Sequence, residues 1–199
     1  MSGKKAEQAR ATKQRLERVA RDLFAERGFA AVSAEELVER ADVTRGALYH
    51  HYDGKEGLFE AVVEAAMKEV HAKLAAEAKG AADPLEALRR GAHAFMKICA
   101  APAMQRLLLI DAPAVMGWQR WRRMDAKYGF GLLRQAIAAG IGAGLIRDQD
   151  PDVLAHILLG AMVEAAMVVA RSANPARDRR AAECAIASVV NGWRAHSKS

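Results

Sequence analysis

Between Leu16 and Phe59 the sequence starts and stops a helix three times, and few folds accommodate helices that short in such close succession. Leu16, Val19, Ala20, Leu23 and Phe24 recur at i, i+3, i+4, i+7 and i+8, which makes one apolar stripe on a first helix. Gly28 supplies its C-terminal stop. Ser33, followed three residues later by Glu36, reads as a capping box that opens a second helix near Ala34, turns Leu37 and Val38 inward and ends near Ala41. Thr44 then caps a third helix through about His51, and Asp53-Gly54 breaks it before another opens near Lys55.

Two short helices joined by a tight turn form a helix-turn-helix, whose second helix enters the DNA major groove while the first crosses the backbone. The segment Ser33 to Tyr52 has that spacing. Asp42 occupies the turn, where a positive φ is wanted; Gly would adopt it more easily, but Asp tolerates it.

Ala, Leu, Val and Arg dominate the rest of the chain and strand-favouring residues are few, so an all-α fold is expected. The helix from Lys55 runs to about Lys79, where Gly80 and Asp83-Pro84 mark a break. Breaks at Ala101-Pro102, Ala112-Pro113, Gly140 to Gly144, Asp150-Pro151 and Asn174-Pro175 divide the remainder into five more helices, about nine in all. The expected organisation is a three-helix head over residues 1–54, with 1–12 a flexible basic arm, and a larger helical domain over 55–199. The long helix from Lys55 would link the two without a flexible tether.

The net charge of +6 is unevenly placed. Residues 1–21 hold seven basic side chains against two acidic ones, whereas residues 22–60 hold four against nine. The head as a whole is neutral, so overall basicity does not argue for DNA; the motif must. Cys99 and Cys184 lie far apart with no signal peptide ahead of them, which points to a reducing cytoplasm rather than a disulfide framework. The apolar run from Val153 to Ala170 has marginal spanning length and contains His156 and Glu164, so no membrane insertion is expected.

The run Val43-Thr44-Arg45-Gly46-Ala47-Leu48-Tyr49-His50-His51-Tyr52, then Lys55-Glu56-Gly57-Leu58-Phe59, with the earlier string Phe24-Ala25-Glu26-Arg27-Gly28-Phe29, resembles the DNA-binding signature of the TetR family. The resemblance covers about Leu16 to Val63; beyond it, only helix number and order match. It implies a homodimer whose two heads read a palindromic operator in double-stranded DNA and whose larger domain binds a small-molecule effector.

The chemistry at these positions agrees. Arg45 can reach a guanine edge bidentately and Ala47 can lie against a thymine methyl, so these two would specify sequence. Thr44, Tyr49 and His50 offer donors, and Lys55 stands at a helix N-terminus suited to phosphate; these would position the head, and Gly46 belongs to the same expected DNA-binding set. Ser33 either caps its helix or contacts the backbone, and the basic residues from Lys4 to Arg15 could follow a groove. Leu48 and Tyr52 read as packing residues. His50-His51 lacks the further ligands of a metal site, since adjacent helix residues point about 100° apart.

In the body, Phe95, Met96, Met116, Trp118, Trp121, Tyr128 and Met162 could line an effector pocket, with Asp111 and Glu164 as polar candidates, although such a set is more often plain core than a pocket. Glu164 would face either a cavity or the subunit boundary. The helix over Asp152 to Arg171 is apolar nearly all round, so both its faces must be covered. Val153, Ile157 and Ala161 there, with Ala182, Ile186, Val189 and Trp193 on the last helix, would form a four-helix dimer interface. No nucleophile constellation, ligand spacing or phosphate loop points to an enzyme, a cofactor or a metal. The expected function is a repressor released by a ligand; the alternative is a DNA-binding factor controlled by a partner or acting architecturally.

Overall fold

The computed structural model describes residues 2–195, with side chains from residue 6 onward. Met1 and the side chains of Lys4 and Lys5 lie outside the described residues. Among those described, the chain forms nine helices and no strand beyond one isolated antiparallel bridge, Ile146 to Arg194. These are α1 (Ser2–Arg27), α2 (Ala34–Arg40), α3 (Arg45–Tyr52), α4 (Lys55–Lys79), α5 (Pro84–Cys99), α6 (Pro102–Met116), α7 (118–142), α8 (Pro151–Ala170) and α9 (Pro175–Gly192). α6 contains a π-helical stretch, Gln105–Asp111, and α7 contains another, Ala126–Phe130.

Most helix starts follow the local signals. Ser33 Oγ accepts from the Glu36 amide at 3.0 Å and Thr44 Oγ1 from the Ala47 amide at 3.2 Å. Asp83, Asp150 and Asn174 cap the helices opened by Pro84, Pro151 and Pro175. Only half of the capping box at Ser33 forms, because Glu36 Oε1 instead takes Arg27 Nη1 at 2.6 Å. Asp42 (φ 50°) and Asp53 (φ 59°) both adopt the left-handed conformation that turns the chain.

Residues 2–12 are a continuation of α1 rather than a flexible arm: no Gly or Pro interrupts the sequence from Lys4 to Arg27, and its Lys, Ala, Glu, Gln and Arg are good helix formers. Ala112-Pro113 does not break the chain. The π-helical winding lets the Ala112 amide donate five residues back to the Leu107 carbonyl, and Pro113 follows where its missing N–H does not end the helix. Gly117, at φ 79°, makes the break instead.

The chain divides into two compact units. The first, Met1–Ala66 with Pro102–Trp121, extends past the expected boundary at residue 54. The reason is its core: Leu16, Ala20, Leu23 and Phe24 of α1 are buried with Leu37, Leu48, Leu58, Phe59 and Val62, and Leu107, Leu108 and Trp121 belong to the same unit. Phe59 meets Phe24 edge-on at 5.2 Å and Phe29 at 5.0 Å, each such pair adding about 0.5–1.5 kcal/mol beyond burial. Two polar contacts fasten α6 here: the Phe29 amide donates to Asp111 Oδ2 at 2.8 Å, and the Arg106 guanidinium donates to the Glu26 carbonyl.

The second unit, Met67–Ala101 with Arg122–Ser199, packs α8 against α5, α7 and α9. α8 is long and apolar enough to cross a membrane by length and composition alone. Its Leu154, Leu158, Met162, Ala166 and Val169 are nevertheless buried within this unit. The end of α9 is tied to the loop before α8, where the Arg147 amide donates to the Trp193 carbonyl at 2.9 Å.

One position in the head permits only glycine. A Cβ on Gly57 would sit 1.5 Å from the Tyr52 carbonyl oxygen, so α4 can approach the end of α3 this closely only without a side chain there. Gly57→Ala is therefore expected to lower the urea midpoint by the equivalent of at least ~2 kcal/mol. Phe59→Ala, which empties the centre of the aromatic cluster, should cost about 3–5 kcal/mol in the same measurement.

Candidate nucleic-acid interface

The side chains of α3 divide by helical rows. Leu48 is fully buried, and Tyr52 is half-buried with its hydroxyl donating to Glu17 Oε1 at 2.9 Å, which together seat the helix on α1. Burial, and then that hydrogen bond, push the Tyr52 hydroxyl well above its ordinary pKa. Arg45 and Tyr49 form one outward row and Gly46 and His50 the next, all exposed, with Ala47 half-buried beside them. Ser33 and Thr44 are exposed at the N-termini of α2 and α3 while capping them, so the two readings of Ser33 are not exclusive.

Arg45 is not idle in the free protein. Its Nη1 lies 2.9 Å from Glu35 Oε1 and its guanidinium 5.7 Å from the centre of the Tyr49 ring. Its pKa is raised, first by Tyr49 and then by Glu35. Both ionic partners are well exposed, and such pairs contribute little and exchange readily. Gly46 has no steric reason within the protein to be glycine, because a Cβ there would meet only Thr44 Oγ1, at 3.8 Å. Lys55 stands at the start of α4 as expected, but its Nζ rests 3.9 Å from the centre of the Phe29 ring, a packing role the sequence did not signal.

The nine residues read as pocket candidates fall in both units. Asp111, Met116, Trp118 and Trp121 belong to the first, and Phe95, Met96, Tyr128, Met162 and Glu164 to the second. Asp111 already accepts the Phe29 amide, and Trp121 is buried with its Nε1 donating to the Leu108 carbonyl at 2.9 Å. Trp118 is 57% exposed. Phe95, Met96 and Met162 are core, and the Tyr128 carbonyl accepts from His71 Nδ1 at 2.6 Å. Glu164 is exposed and so is not a buried carboxylate awaiting a ligand.

Of the residues read as a dimer face, Val153 (54%), Ile157 (52%) and Val189 (36%) are exposed, and Ala161 and Ala182 are half-buried. Ile186 and Trp193 point inward instead, at 4% and 9% exposure, because the stripe on α9 that they share faces its own unit's core. Val168, 53% exposed, lies in line with Val153 and Ile157 on the outer row of α8.

Sequence reading passed over Asp125, since a lone Asp beside arginines looks like a surface residue. Its side chain is largely buried, with Oδ2 at 2.6 Å from Arg122 Nη1. Burial pushes the carboxyl from 3.8 up to about 6 against the pull of Arg122, and the same burial, with Asp125 adding to it, pushes the Cys99 thiol up to about 12. The native Asp125 carboxyl thus keeps its proton to higher pH than the unfolded one. The cost of ionising it in place is absent below about pH 4 and complete above about pH 6. Relative to Asp125→Asn, the parent should lose on the order of 1–3 kcal/mol between those limits, read from urea midpoints of both proteins across the range.

Residues 18–62 match the family described as bacterial regulatory proteins, tetR family, and residues 85–193 match the tetracyclin repressor-like C-terminal domain. The TetC protein of transposon Tn10 from Escherichia coli is 25% identical over 154 residues, 77% of this chain and 78% of TetC. The regulator AcrR of Shigella flexneri is 36% identical over 90 residues, 45% of this chain and 42% of AcrR, so that likeness spans less than half of the relative. A TetR-family regulator from Pectobacterium atrosepticum superposes with a TM-score of 0.84 at 31% identity, covering 95% of this chain and 97% of that one. RolR, in complex with resorcinol, shares the fold with a TM-score of 0.74 at 20% identity, covering 92% and 89%. With both of its parts matched and a neighbour alike over nearly its whole length, the chain belongs to the tetR family and is a DNA-binding transcriptional regulator.

Proposed function

We propose that the protein is a homodimeric repressor that holds a palindromic operator through α3 and is released when a small molecule binds its second unit. The observation that carries the DNA contact is the outward row of α3. Arg45 is held only by exposed partners, and Gly46 lacks a side chain that nothing in the protein excludes. A backbone phosphate or base edge approaching α3 is what that missing side chain would accommodate. Arg45 and Ala47 read bases, while Ser33, Thr44, Tyr49, His50 and Lys55 hold the backbone, Lys55 through the charge it keeps above the Phe29 ring.

The row Val153, Ile157, Ala161 and Val168, with Val189 and Ala182 on α9, supports self-association, because an exposed apolar stripe of this kind on two helices suits a symmetric four-helix contact. Glu164 lies in that exposed row rather than in a core, which favours a role at the subunit boundary. A route from effector to DNA is supported by α6. The chain enters α6 from the second unit and leaves it back into that unit, while Asp111 and Arg106 grip the end of α1. An effector that shifts α6 would bias where α3 sits and mismatch two recognition helices set about 34–36 Å apart or a multiple of that. RolR, with its bound resorcinol, is a neighbour in which this fold accompanies a small-molecule complex.

The test is operator selection from genomic fragments, followed by binding at several salt concentrations. Arg45→Ala should relax sequence preference, and Lys55→Ala should weaken all sequences alike and lower the salt slope by about one. Gly46→Ala should leave stability unchanged or raise it by up to ~1 kcal/mol while weakening operator binding. Equal affinity of the parent for selected and random DNA would defeat the reading. A selected operator that no small molecule releases would favour control by a partner instead.

A further inference from the structure

In the second unit α5 and α9 pack together and leave a groove of about 380 Å³ between them. Its floor is apolar, formed by Ala92 and Met96 of α5 with Ile186 and Val190 of α9, all buried. Its rim carries Arg89, His93, Arg180 and Glu183, and their charges do not cancel. Glu183 Oε1 lies 3.7 Å from Arg179 Nε and 3.4 Å from His93 Nδ1. That single carboxylate is therefore already taken up by neighbours, yet neither Glu183 Oε1 nor Arg179 Nε, both buried, completes a hydrogen bond. Among the described residues neither Arg89, whose Nε donates to the Leu85 carbonyl at 3.3 Å, nor Arg180 has a carboxylate partner.

Two uncompensated guanidiniums over an apolar floor are the arrangement that an anion with an apolar body satisfies. A guanidinium pairs with a carboxylate through two parallel N–H donors, a geometry that a hydrated surface arginine gains nothing from holding. The volume falls within the range of small-molecule sites, about 300–1,000 Å³. We propose that this groove is a binding site for a small aromatic or branched monocarboxylate, its charge held by Arg89 and Arg180 and its ring or chain laid on Met96, Ile186 and Val190. The site goes beyond the effector reading given above; of the residues considered there, only Met96 lines it. α9 also turns Ala185 and Val189 outward, so an occupied groove bears on a helix assigned to subunit contact.

The test is direct and needs no DNA. Benzoate, and benzamide as its uncharged counterpart, are titrated into the full-length protein labelled at Met, Ile and Val methyl groups and followed by NMR. Benzoate is expected to shift the Met96, Ile186 and Val190 signals saturably, with a Kd on the order of 1 mM. Benzamide, and benzoate with Arg180→Ala, should each bind about 10-fold more weakly or worse. Ala187→Trp, which fills the groove from its wall, should abolish the shifts. Arg180 is exposed, so the remaining methyl spectrum of Arg180→Ala reports an intact fold. Absence of saturable shifts at those three residues, equal binding of benzamide, or parental affinity in both Arg89→Ala and Arg180→Ala would overturn the site. None of these outcomes depends on whether an effector releases the operator.

Discussion

The rings of Phe24, Phe29 and Phe59 join the end of α1 to the beginning of α4, and the placement of α3 depends on that junction. A helix of eight residues does not stay folded on its own in water, because one costly nucleus is followed by too few turns. α3 persists because Leu48 is buried, Tyr52 bonds to Glu17, and Gly57 lets α4 begin directly beneath the Tyr52 carbonyl. The orientation of the outward row of α3 is thus set by groups that face the protein interior.

Charge plays the opposite part. The head's ion pairs, Arg27 with Glu36, Arg40 with Glu36, Arg45 with Glu35 and Arg15 with Asp42, all have at least one well-exposed member. Such exposed pairs contribute little, so none of them holds the fold together. They link basic and acidic side chains across the exposed surface of a head that is neutral as a whole. The buried contacts provide rigidity, and the exposed pairs provide cations that can change partners.

The caps at Ser33 and Thr44, and the breaks at Asp83-Pro84, Asp150-Pro151 and Asn174-Pro175, were legible because such signals are written within four residues, and the positive φ at Asp42 was legible because a tight turn demands it. The outward set on α3 was legible for the same reason, since 3.6-residue periodicity separates Leu48 from Arg45 and Tyr49. The continuation of α6 across Pro113 was not, because a π-helical turn is a register change that no residue type announces. Nor was the role of Asp111, whose partner Phe29 is 82 residues away. The stripe on α9 was found correctly, but its direction was misread: periodicity says that Ile186 and Trp193 lie together, not which neighbour they face.

By itself the sequence determined that this chain is helical, where most of its helices begin and end, and which side chains of the third short helix point outward. Those properties follow from backbone sterics, caps and periodicity, all of which act over a few residues. Only the tertiary structure decided that residues 102–121 belong with the head and that Glu164 is exposed. It also decided that Asp125 is buried beside Arg122, and that Arg89 and Arg180 overlook one apolar groove. Each of these is a meeting of segments distant in sequence, settled by which apolar faces close on one another, and a single chain of letters carries no term for that choice.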